Sequence, residues 1–261
     1  MNESEEQDEF VYNPECNYDE STIAQQEQID RNIAKEQPFI SEKLKFSELD
    51  DEYKTDAVYL AKVKELKTKY SCFRRTRGDG NCFYRAFGFA YFELLRQDVD
   101  ECKRFKEIIK QNQQDLIDLG FPQFTLDDFY ENFIDVLEKV ESQCPIEELL
   151  QIFNNQGCSN YLVVYLRLLV SGYLQKKEEF FTHFVEHGQT VKDFCGKEVE
   201  PMGRESDHIH ITALTSAINV PIRVEYMDRV GTNINSHDFL IEQNPKIFLL
   251  YRPGHFDVLY Q

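Results

Sequence analysis

One cysteine of the chain is placed where its thiol could act as a nucleophile. Cys82 opens a stretch, residues 82–95, that is apolar nearly all round and therefore predicts a buried helix. A thiol at a helix N-terminus meets unpaired amide N–H groups and the positive end of the helix dipole, which both favour the thiolate. Since the thiolate is the form that attacks a carbonyl group, Cys82 is the candidate nucleophile.

The turn before this cysteine could stabilise the negative charge that such an attack produces. Gly78 and Gly80 bracket Asp79, and glycines permit the positive φ and the close approach of substrate that such turns often need. Backbone N–H groups aimed at the attacked carbonyl would form an oxyanion hole. The candidate donors are the amides of Asp79, Gly80, Asn81 and Cys82.

The end of the chain offers a general base and an orienting partner for it. Residues 254–257 read Gly-His-Phe-Asp at the start of a predicted terminal strand. Because side chains alternate along a strand, His255 and Asp257 face one side, with Cα atoms roughly 7 Å apart. We expect Asp257 to contact Nδ1 of His255 and to stabilise its imidazolium, and the other ring nitrogen to face Cys82.

Each of these motifs has an ordinary explanation when it is taken alone. A lone cysteine is more often a small buried apolar residue, and Gly-Asp-Gly is a common turn. A His-x-Asp triplet on a strand is often coincidental. The conjunction of all three is what indicates a nucleophilic site.

The elements that must position these residues follow from hydrophobic periodicity and turn signals. The predicted helices cover residues 59–70, 82–95, 102–119, 125–141, a segment opening at Pro145, 159–171, 178–186 and 207–218. Three short predicted strands come last, at residues 222–227, 247–251 and 256–260. Helices first and strands last indicate an α+β body in which a buried helix backs a small sheet.

Composition excludes several classes of function. With 29 basic and 47 acidic residues, the net charge of −18 repels phosphate, so we expect no binding to nucleic acid or to anionic membranes, and a basic partner is favoured. The seven cysteines contain no C-x-x-C pair, which argues against a zinc ribbon or a thioredoxin-like motif.

No signal peptide or membrane span is recognisable in the sequence. We expect a soluble, reduced, monomeric protein of the cytoplasm, and also of the nucleus.

The acidic residues are concentrated at the start of the chain. Residues 1–30 hold ten carboxylates and neither Lys nor Arg. We therefore predict a disordered acidic arm over residues 1–21 and an N-terminal helix with a connector over residues 22–55, the helix ending before Pro38. The catalytic domain is predicted to cover residues 56–261.

Several runs of the sequence resemble a known family. Asp-Gly-Asn-Cys-Phe-Tyr-Arg-Ala at 79–86 and Gly-His-Phe-Asp at 254–257 resemble the ovarian-tumour (OTU) class of cysteine deubiquitinases. Within that class, longer runs are similar to the otubain subfamily, namely residues 78–89, 161–174, 198–211 and 251–260. The resemblance extends from about residue 20 to the end of the chain.

This resemblance implies a papain-like OTU fold, with helical lobes around a small, mainly antiparallel C-terminal sheet. It also implies hydrolysis of the isopeptide bond between the C-terminal glycine of ubiquitin and a lysine, with ubiquitin and polyubiquitin as partners. Cys82 would be the nucleophile, His255 the general base and Asp257 its orienter, while Asp79 is counted with the active site of the family. No metal or other cofactor is required.

Three roles stay open for the segment over residues 22–37. It could be a solvated tether. By resemblance, it could contact the second, proximal ubiquitin and favour cleavage of 48-linked chains. It could also help to bind ubiquitin-charged conjugating enzymes and block ubiquitin transfer without proteolysis, which makes a non-catalytic binding protein the alternative to the hydrolase.

A polar cluster before the predicted helix at 207–218 has two interpretations. Asp207 could simply be the N-cap of that helix. The resemblance places this segment near the active site, which leads to the hypothesis that Glu205 or His208 engages His255 and holds the resting triad out of line.

The histidines at positions 183 and 187 have the i, i+4 spacing of a zinc-binding pair. Their segment reads His-Phe-Val-Glu-His, without the His-Glu-x-x-His pattern or a nearby third ligand. Ordinary surface histidines are the favoured interpretation, and no metal site is predicted.

Overall fold

The structure is a computed structural model that describes residues 37–186 and 188–261. The predicted acidic arm over residues 1–21, and the predicted N-terminal helix up to residue 36, lie outside the described residues. A compact unit spans Pro38–Gln261. Within the described ranges, every helix is too short or too polar to cross a membrane.

Helices make up most of the compact unit. The α-helices are α1 (Ser47–Glu52), α2 (Ala57–Lys69), α3 (Cys82–Leu95), α4 (Val99–Asp118), α5 (Gln123–Glu141), α6 (Ile146–Asn154), α7 (Gln156–Lys176), α8 (Glu178–Phe181), α9 (Val191–Phe194) and α10 (His208–Ile218). A 3₁₀ turn (Thr182–Phe184) follows α8, and a single π-helical segment (Cys195–Val199) follows α9.

The strands form one sheet in the described part of the chain. They are β1 (Cys72–Arg74), β2 (Ile222–Tyr226), β3 (Asn235–Phe239), β4 (Ile247–Arg252) and β5 (His255–Tyr260), in the order β1-β5-β4-β2-β3. Strands β2 and β4 run parallel, and the other neighbouring pairs are antiparallel. The predicted small, mainly antiparallel sheet is thereby confirmed.

Two of these strands were not predicted, for different reasons. Strand β1 has only three residues, which is too short for alternation to be recognised. Strand β3 is an edge strand with the sequence Asn-Ser-His-Asp-Phe, and only Phe239 is buried. Because an edge strand needs no apolar face, its sequence lacks the pattern on which strand prediction depends.

Helix α3 is buried on all sides, as its composition predicted. Phe83, Phe87 and Phe89 are at most 1% exposed. The ring of Phe83 packs on Phe256 of β5, with ring centroids 5.3 Å apart. The first turn of α3, where Cys82 lies, is thereby fixed against the strand that carries His255.

The compact unit begins at Pro38, so the predicted start of the catalytic domain near residue 56 is wrong. Phe39, Ile40, Phe46 and Leu49 are all at most 6% exposed. Ile40 bridges to Thr76 and Leu44 to Phe73 of β1. The only regular element in this segment is the short helix α1, and the residues before it are held by long-range contacts, so no helical or strand period indicated that they belong to the folded unit.

Candidate active site

The β4–β5 hairpin carries the predicted base and its partner. Arg252 ends β4 and His255 begins β5, so only Pro253 and Gly254 connect the strands. Gly254 has φ +74°, the left-handed conformation that the second central residue of a type II turn needs, while proline suits the first. The turn sets the register in which Arg252 pairs with His255.

His255 and Asp257 share one face of β5, and their side chains meet. His255 Nε2 lies 2.9 Å from Asp257 Oδ1, so the predicted contact through Nδ1 is wrong. Nδ1 faces the glycine turn instead, since a Cβ built on Gly78 would lie 3.6 Å from it. Alternation along a strand sets the face on which a side chain lies, but not the rotation of its ring.

Asp257 is fully buried and is surrounded by donors. Its Oδ1 also accepts the Thr76 N–H at 2.9 Å, and its Oδ2 accepts Arg252 Nη2 at 2.6 Å. Burial raises the pKa of a carboxyl group, but the hydrogen bond from His255 and the charge of Arg252 outweigh it. The pKa of Asp257 therefore lies below its ordinary value, and the group is a carboxylate at neutral pH.

Arg252 connects this carboxylate to the first helix. Its Nη1 donates to Glu52 Oε1 at 2.7 Å and to the Tyr53 hydroxyl at 3.1 Å. Glu52 also pairs with Arg75 at 2.9 Å. The end of α1 thus holds Arg252 against Asp257, and no local sequence pattern indicated this support.

His255 is held as a cation by its two neighbours. Burial lowers the pKa of an imidazole, but hydrogen bonds to Asp257 and Cys82, and the negative charges of both groups, raise the pKa of His255 to about 9. Because Nε2 contacts Asp257, the nitrogen that faces the Cys82 sulfur is Nδ1. A thiolate beside an imidazolium is the arrangement from which a cysteine attacks a carbonyl group.

Cys82 lies at the first position of α3 and is only 5% exposed. The turn before it is anchored by Arg85, whose guanidinium forms an ion pair with Asp79. Arg85 also donates to Ser159 Oγ at 3.1 Å and to Asn160 Oδ1 at 2.9 Å at the start of α7. Asp79 therefore shapes the turn, and its carboxylate is turned towards Arg85.

Two of the four predicted oxyanion donors are already engaged. The Asp79 N–H donates to Arg77 O at 3.1 Å, and the Asn81 N–H donates to Asp79 Oδ1 at 3.0 Å. Among the described residues, the amides of Gly80 and Cys82 have no acceptor. These two amides are the donors that an oxyanion could use, so the predicted set of four candidate donors is reduced to two.

The turn is closely packed against the loop after the π-helical segment. Gly80 has φ +73°, and a Cβ there would lie 2.9 Å from Gly203 Cα and closer still to its carbonyl group. The Gly203 N–H donates to Asn81 Oδ1 at 2.9 Å. Only glycine satisfies both the backbone angle and the space at position 80.

Of the two suggested modulators, Glu205 lies next to the proposed site, whereas the ring contacts of His208 are with the edge strand β3. The Glu205 carboxylate would lie 3.5 Å from a Cβ on Gly254, next to His255. The His208 ring packs on Phe239, with centroids 4.8 Å apart. In the described part of the chain, no hydrogen bond joins Glu205 or His208 to His255, so their regulatory role stays a prediction.

The histidines and acidic residues of the described ranges are not grouped as metal ligands. In the ranges 37–186 and 188–261, no group of three or more His, Cys, Asp or Glu side chains could hold a metal ion. His183 is exposed, and position 187 of the histidine pair lies outside the described residues.

Comparison with known proteins identifies the family. A family model described as Peptidase C65 Otubain matches residues 32–261. The chain belongs to the otubain family. Ubiquitin thioesterase OTUB1 of Homo sapiens is 53% identical to this otubain over 246 residues, which are 94% of this chain and 91% of that relative. A similar relative from Arabidopsis thaliana, OVARIAN TUMOR DOMAIN-containing deubiquitinating enzyme 1, is 38% identical over 264 residues, covering 92% of this chain and 86% of that relative.

Solved structures show the same fold. One is titled as h/ceOTUB1 with ubiquitin aldehyde and UBCH5B~Ub, with a TM-score of 0.86 and 38% identity over 93% of this chain and 98% of that chain. Another is titled as h/ceOTUB1 with ubiquitin aldehyde and UBC13~Ub, with a TM-score of 0.87 and 37% identity over 94% and 99%. The otubain therefore has the predicted α+β OTU fold and is a cysteine-dependent hydrolase.

Proposed function

We propose that this otubain is a deubiquitinase that cleaves isopeptide bonds of polyubiquitin. Cys82 is the nucleophile, His255 the general acid and base, and Asp257 the residue that orients His255. The pairing of His255 with the buried carboxylate of Asp257, at a place where Cys82 at the start of α3 raises the pKa of the same imidazole, carries the proposal. It is supported by relatives named ubiquitin thioesterases, and by similar structures of h/ceOTUB1 with ubiquitin aldehyde.

The geometry assigns a role to each group in the reaction. The Cys82 thiolate attacks the carbonyl carbon of the ubiquitin C-terminal glycine, and the resulting oxyanion accepts hydrogen bonds from the Gly80 and Cys82 amides. His255 Nδ1 then gives its proton to the departing lysine amine, which breaks the C–N bond and leaves a thioester. The neutral imidazole next takes a proton from water, whose attack releases ubiquitin and regenerates the thiolate.

Cleavage of di-ubiquitin tests the proposal most directly. We expect the wild-type chain to cleave at least one of the eight di-ubiquitin linkage types, and Cys82→Ala to cleave none. Cys158→Ala is the matched control, because Cys158 is a partly exposed cysteine at the start of α7 that should be dispensable. Cleavage by Cys82→Ala, or none by pure wild-type protein, would contradict the assignment.

We further propose that the chain favours 48-linked ubiquitin and that the segment before Pro38 contributes to this choice. Removal of residues 1–37 leaves the compact unit, Pro38–Gln261, with all proposed catalytic groups. This deletion is expected to reduce cleavage of 48-linked di-ubiquitin much more than hydrolysis of a small C-terminal ubiquitin ester. Steady-state rates on both substrates provide the measurement, and equal losses would exclude a role in linkage choice.

A second candidate function is inhibition of ubiquitin-charged conjugating enzymes by binding alone. Similar structures in which h/ceOTUB1 is paired with UBCH5B~Ub and with UBC13~Ub favour it. The Cys82→Ala chain distinguishes the two functions, because it lacks the nucleophile but keeps the surface. Inhibition of ubiquitin transfer that survives in this variant would support the binding function.

A further inference from the structure

We propose that Arg167 is a positioning residue for the oxyanion-stabilising turn, acting through Asn81 and the Gly80 carbonyl. This inference rests on the function proposed above and assigns a role to a side chain that does not touch the reacting atoms. Arg167 lies in the middle of α7 and is fully buried. A buried guanidinium is costly unless its donors are satisfied.

The donors of Arg167 join three separate segments. Its Nη2 lies 3.0 Å from Gly80 O, 2.8 Å from Asn81 Oδ1 and 2.7 Å from Arg204 O, and its Nη1 donates to Val199 O at 2.9 Å. All four acceptors are uncharged. The guanidinium also stacks over the Tyr84 ring, 4.5 Å from its centroid. The positive charge therefore lies behind the turn without a carboxylate among its hydrogen-bond partners.

These contacts hold both ends of one peptide unit. In a trans peptide the C=O and N–H groups point in opposite directions. The peptide between Gly80 and Asn81 has its carbonyl bound by Arg167 and its N–H bound by Asp79 Oδ1. It cannot rotate without breaking one of these two bonds.

A second peptide unit is held indirectly. Asn81 Nδ2 donates to Asp79 O at 3.3 Å, while the Oδ1 of the same side chain is held by Arg167 and by the Gly203 N–H. Because Asp79 O belongs to the same peptide as the Gly80 N–H, fixing this carbonyl directs that N–H the opposite way. Arg167 thus orients one of the two available oxyanion donors.

The other donor depends on the helix and not on Arg167. The Cys82 N–H belongs to the peptide whose carbonyl, Asn81 O, accepts the Arg85 N–H at 3.1 Å. The contact between Cys82 and His255 likewise involves none of the groups that Arg167 binds. Loss of Arg167 should therefore weaken oxyanion stabilisation and leave the nucleophile intact.

Arg167→Lys in the full chain is the test. Lysine keeps the charge, but its single nitrogen cannot reach acceptors in three segments. For a ubiquitin C-terminal fluorogenic amide, we expect kcat to fall by about 10- to 100-fold, somewhat less than the loss of a whole oxyanion-hole donor, and KM to change less than about threefold. The inhibition constant of ubiquitin aldehyde, whose adduct places an oxygen in the hole, should rise by a similar factor.

The rate at which iodoacetamide alkylates Cys82 in the absence of ubiquitin distinguishes a misplaced oxyanion donor from a general disruption of the active site. This reaction forms no oxyanion, so its rate, followed by mass spectrometry of the Cys82 peptide, should stay within about twofold of wild type. An alkylation rate that falls in parallel with kcat would overturn the proposal, as would a rise in KM at unchanged kcat.

Lys62→Met is the control for disrupting the contacts of a buried cation that lies outside the proposed site. Lys62 is also fully buried, in α2, and pairs with Asp228 at 3.0 Å. This variant should lower the Tm while kcat stays at the wild-type value. Loss of kcat in Lys62→Met matching that in Arg167→Lys would overturn the specific role.

A double-mutant cycle gives a second test that applies even if the Arg167 variant is less stable. If Arg167 acts through Asn81, the fold-loss of kcat in the double variant should be much smaller than the product of the fold-losses in Arg167→Lys and Asn81→Ala. Multiplicative losses would overturn the proposal. A wild-type chain without turnover would instead refute the proposed function, so the two failures are distinguishable.

Discussion

Replacement of Gly80 by alanine is expected to remove nearly all hydrolytic activity. The new Cβ would overlap the backbone of Gly203, and the φ of +73° is unfavourable for any residue with a Cβ. Because backbone atoms cannot rotate aside, the turn or the loop around Gly203 must shift. A shift of this kind displaces the Gly80 amide, and we expect a loss of kcat of about 100-fold or more.

Gly231→Ala is the matched control for this substitution. Gly231 has a similar φ, +66°, but a Cβ there would meet nothing within 4 Å. The substitution should lower the free energy of unfolding by about 1–2 kcal/mol, because a residue with a Cβ is unfavourable in the left-handed conformation. We expect kcat to be unchanged. Turnover of a fluorogenic ubiquitin amide and the Tm are measured for both variants. Similar kcat values in the two would show that crowding at Gly80 is irrelevant to catalysis.

The second large effect is expected from Asp257→Asn. Asparagine preserves the shape of the side chain but removes the charge that faces His255 and Arg252 in a fully buried place. Since the guanidinium would then lack its buried partner and the imidazole its orienting carboxylate, kcat/KM should fall by roughly 10²- to 10⁴-fold.

The pH dependence of kcat/KM should shift in a direction that a general structural defect would not reproduce. The pKa of His255 is raised to about 9, and in the proposed mechanism its imidazolium supplies the proton for the leaving amine. This cation is lost as pH rises through the pKa, so wild-type kcat/KM should decline only near pH 9. Without the charge and hydrogen bond of Asp257 the pKa of His255 falls, and the alkaline decline should begin at a lower pH.

Asp238→Asn is the control for loss of an aspartate paired with arginine. Asp238 on β3 binds Arg223 through two contacts, at 2.6 and 2.7 Å, but takes no part in the proposed site. Its substitution should leave the pH profile of kcat/KM unchanged. An unshifted alkaline limb in Asp257→Asn would refute the role of Asp257 in holding the imidazolium.

Local pattern was sufficient to predict the elements of the site. The all-round apolar stretch that begins at Cys82 predicted the buried helix α3, and alternation predicted that His255 and Asp257 share one face of β5. These predictions succeed because burial and strand geometry impose their periods on residues close together in the chain. The glycine-bracketed turn was recognisable for the same reason.

Other parts of the site could not be predicted because they depend on contacts between distant segments. Arg252 is held by Glu52 from α1, and Arg167 reaches the turn at Gly80 from the middle of α7. Arg167 interrupts an apolar stretch of the sequence, but nothing in that stretch indicated that the side chain is buried or which groups it binds. The same holds for the start of the compact unit at Pro38 and for the edge strand β3.

Short-range patterns therefore identified the candidate catalytic residues and the elements that carry them. Contacts between distant segments place Nε2 of His255 against Asp257 and leave the amides of Gly80 and Cys82, but not those of Asp79 and Asn81, available to an oxyanion. The difference arises because hydrophobic periodicity and turn chemistry act over only a few residues. Ring rotation and peptide orientation are set by whichever groups from remote segments satisfy the buried donors and acceptors.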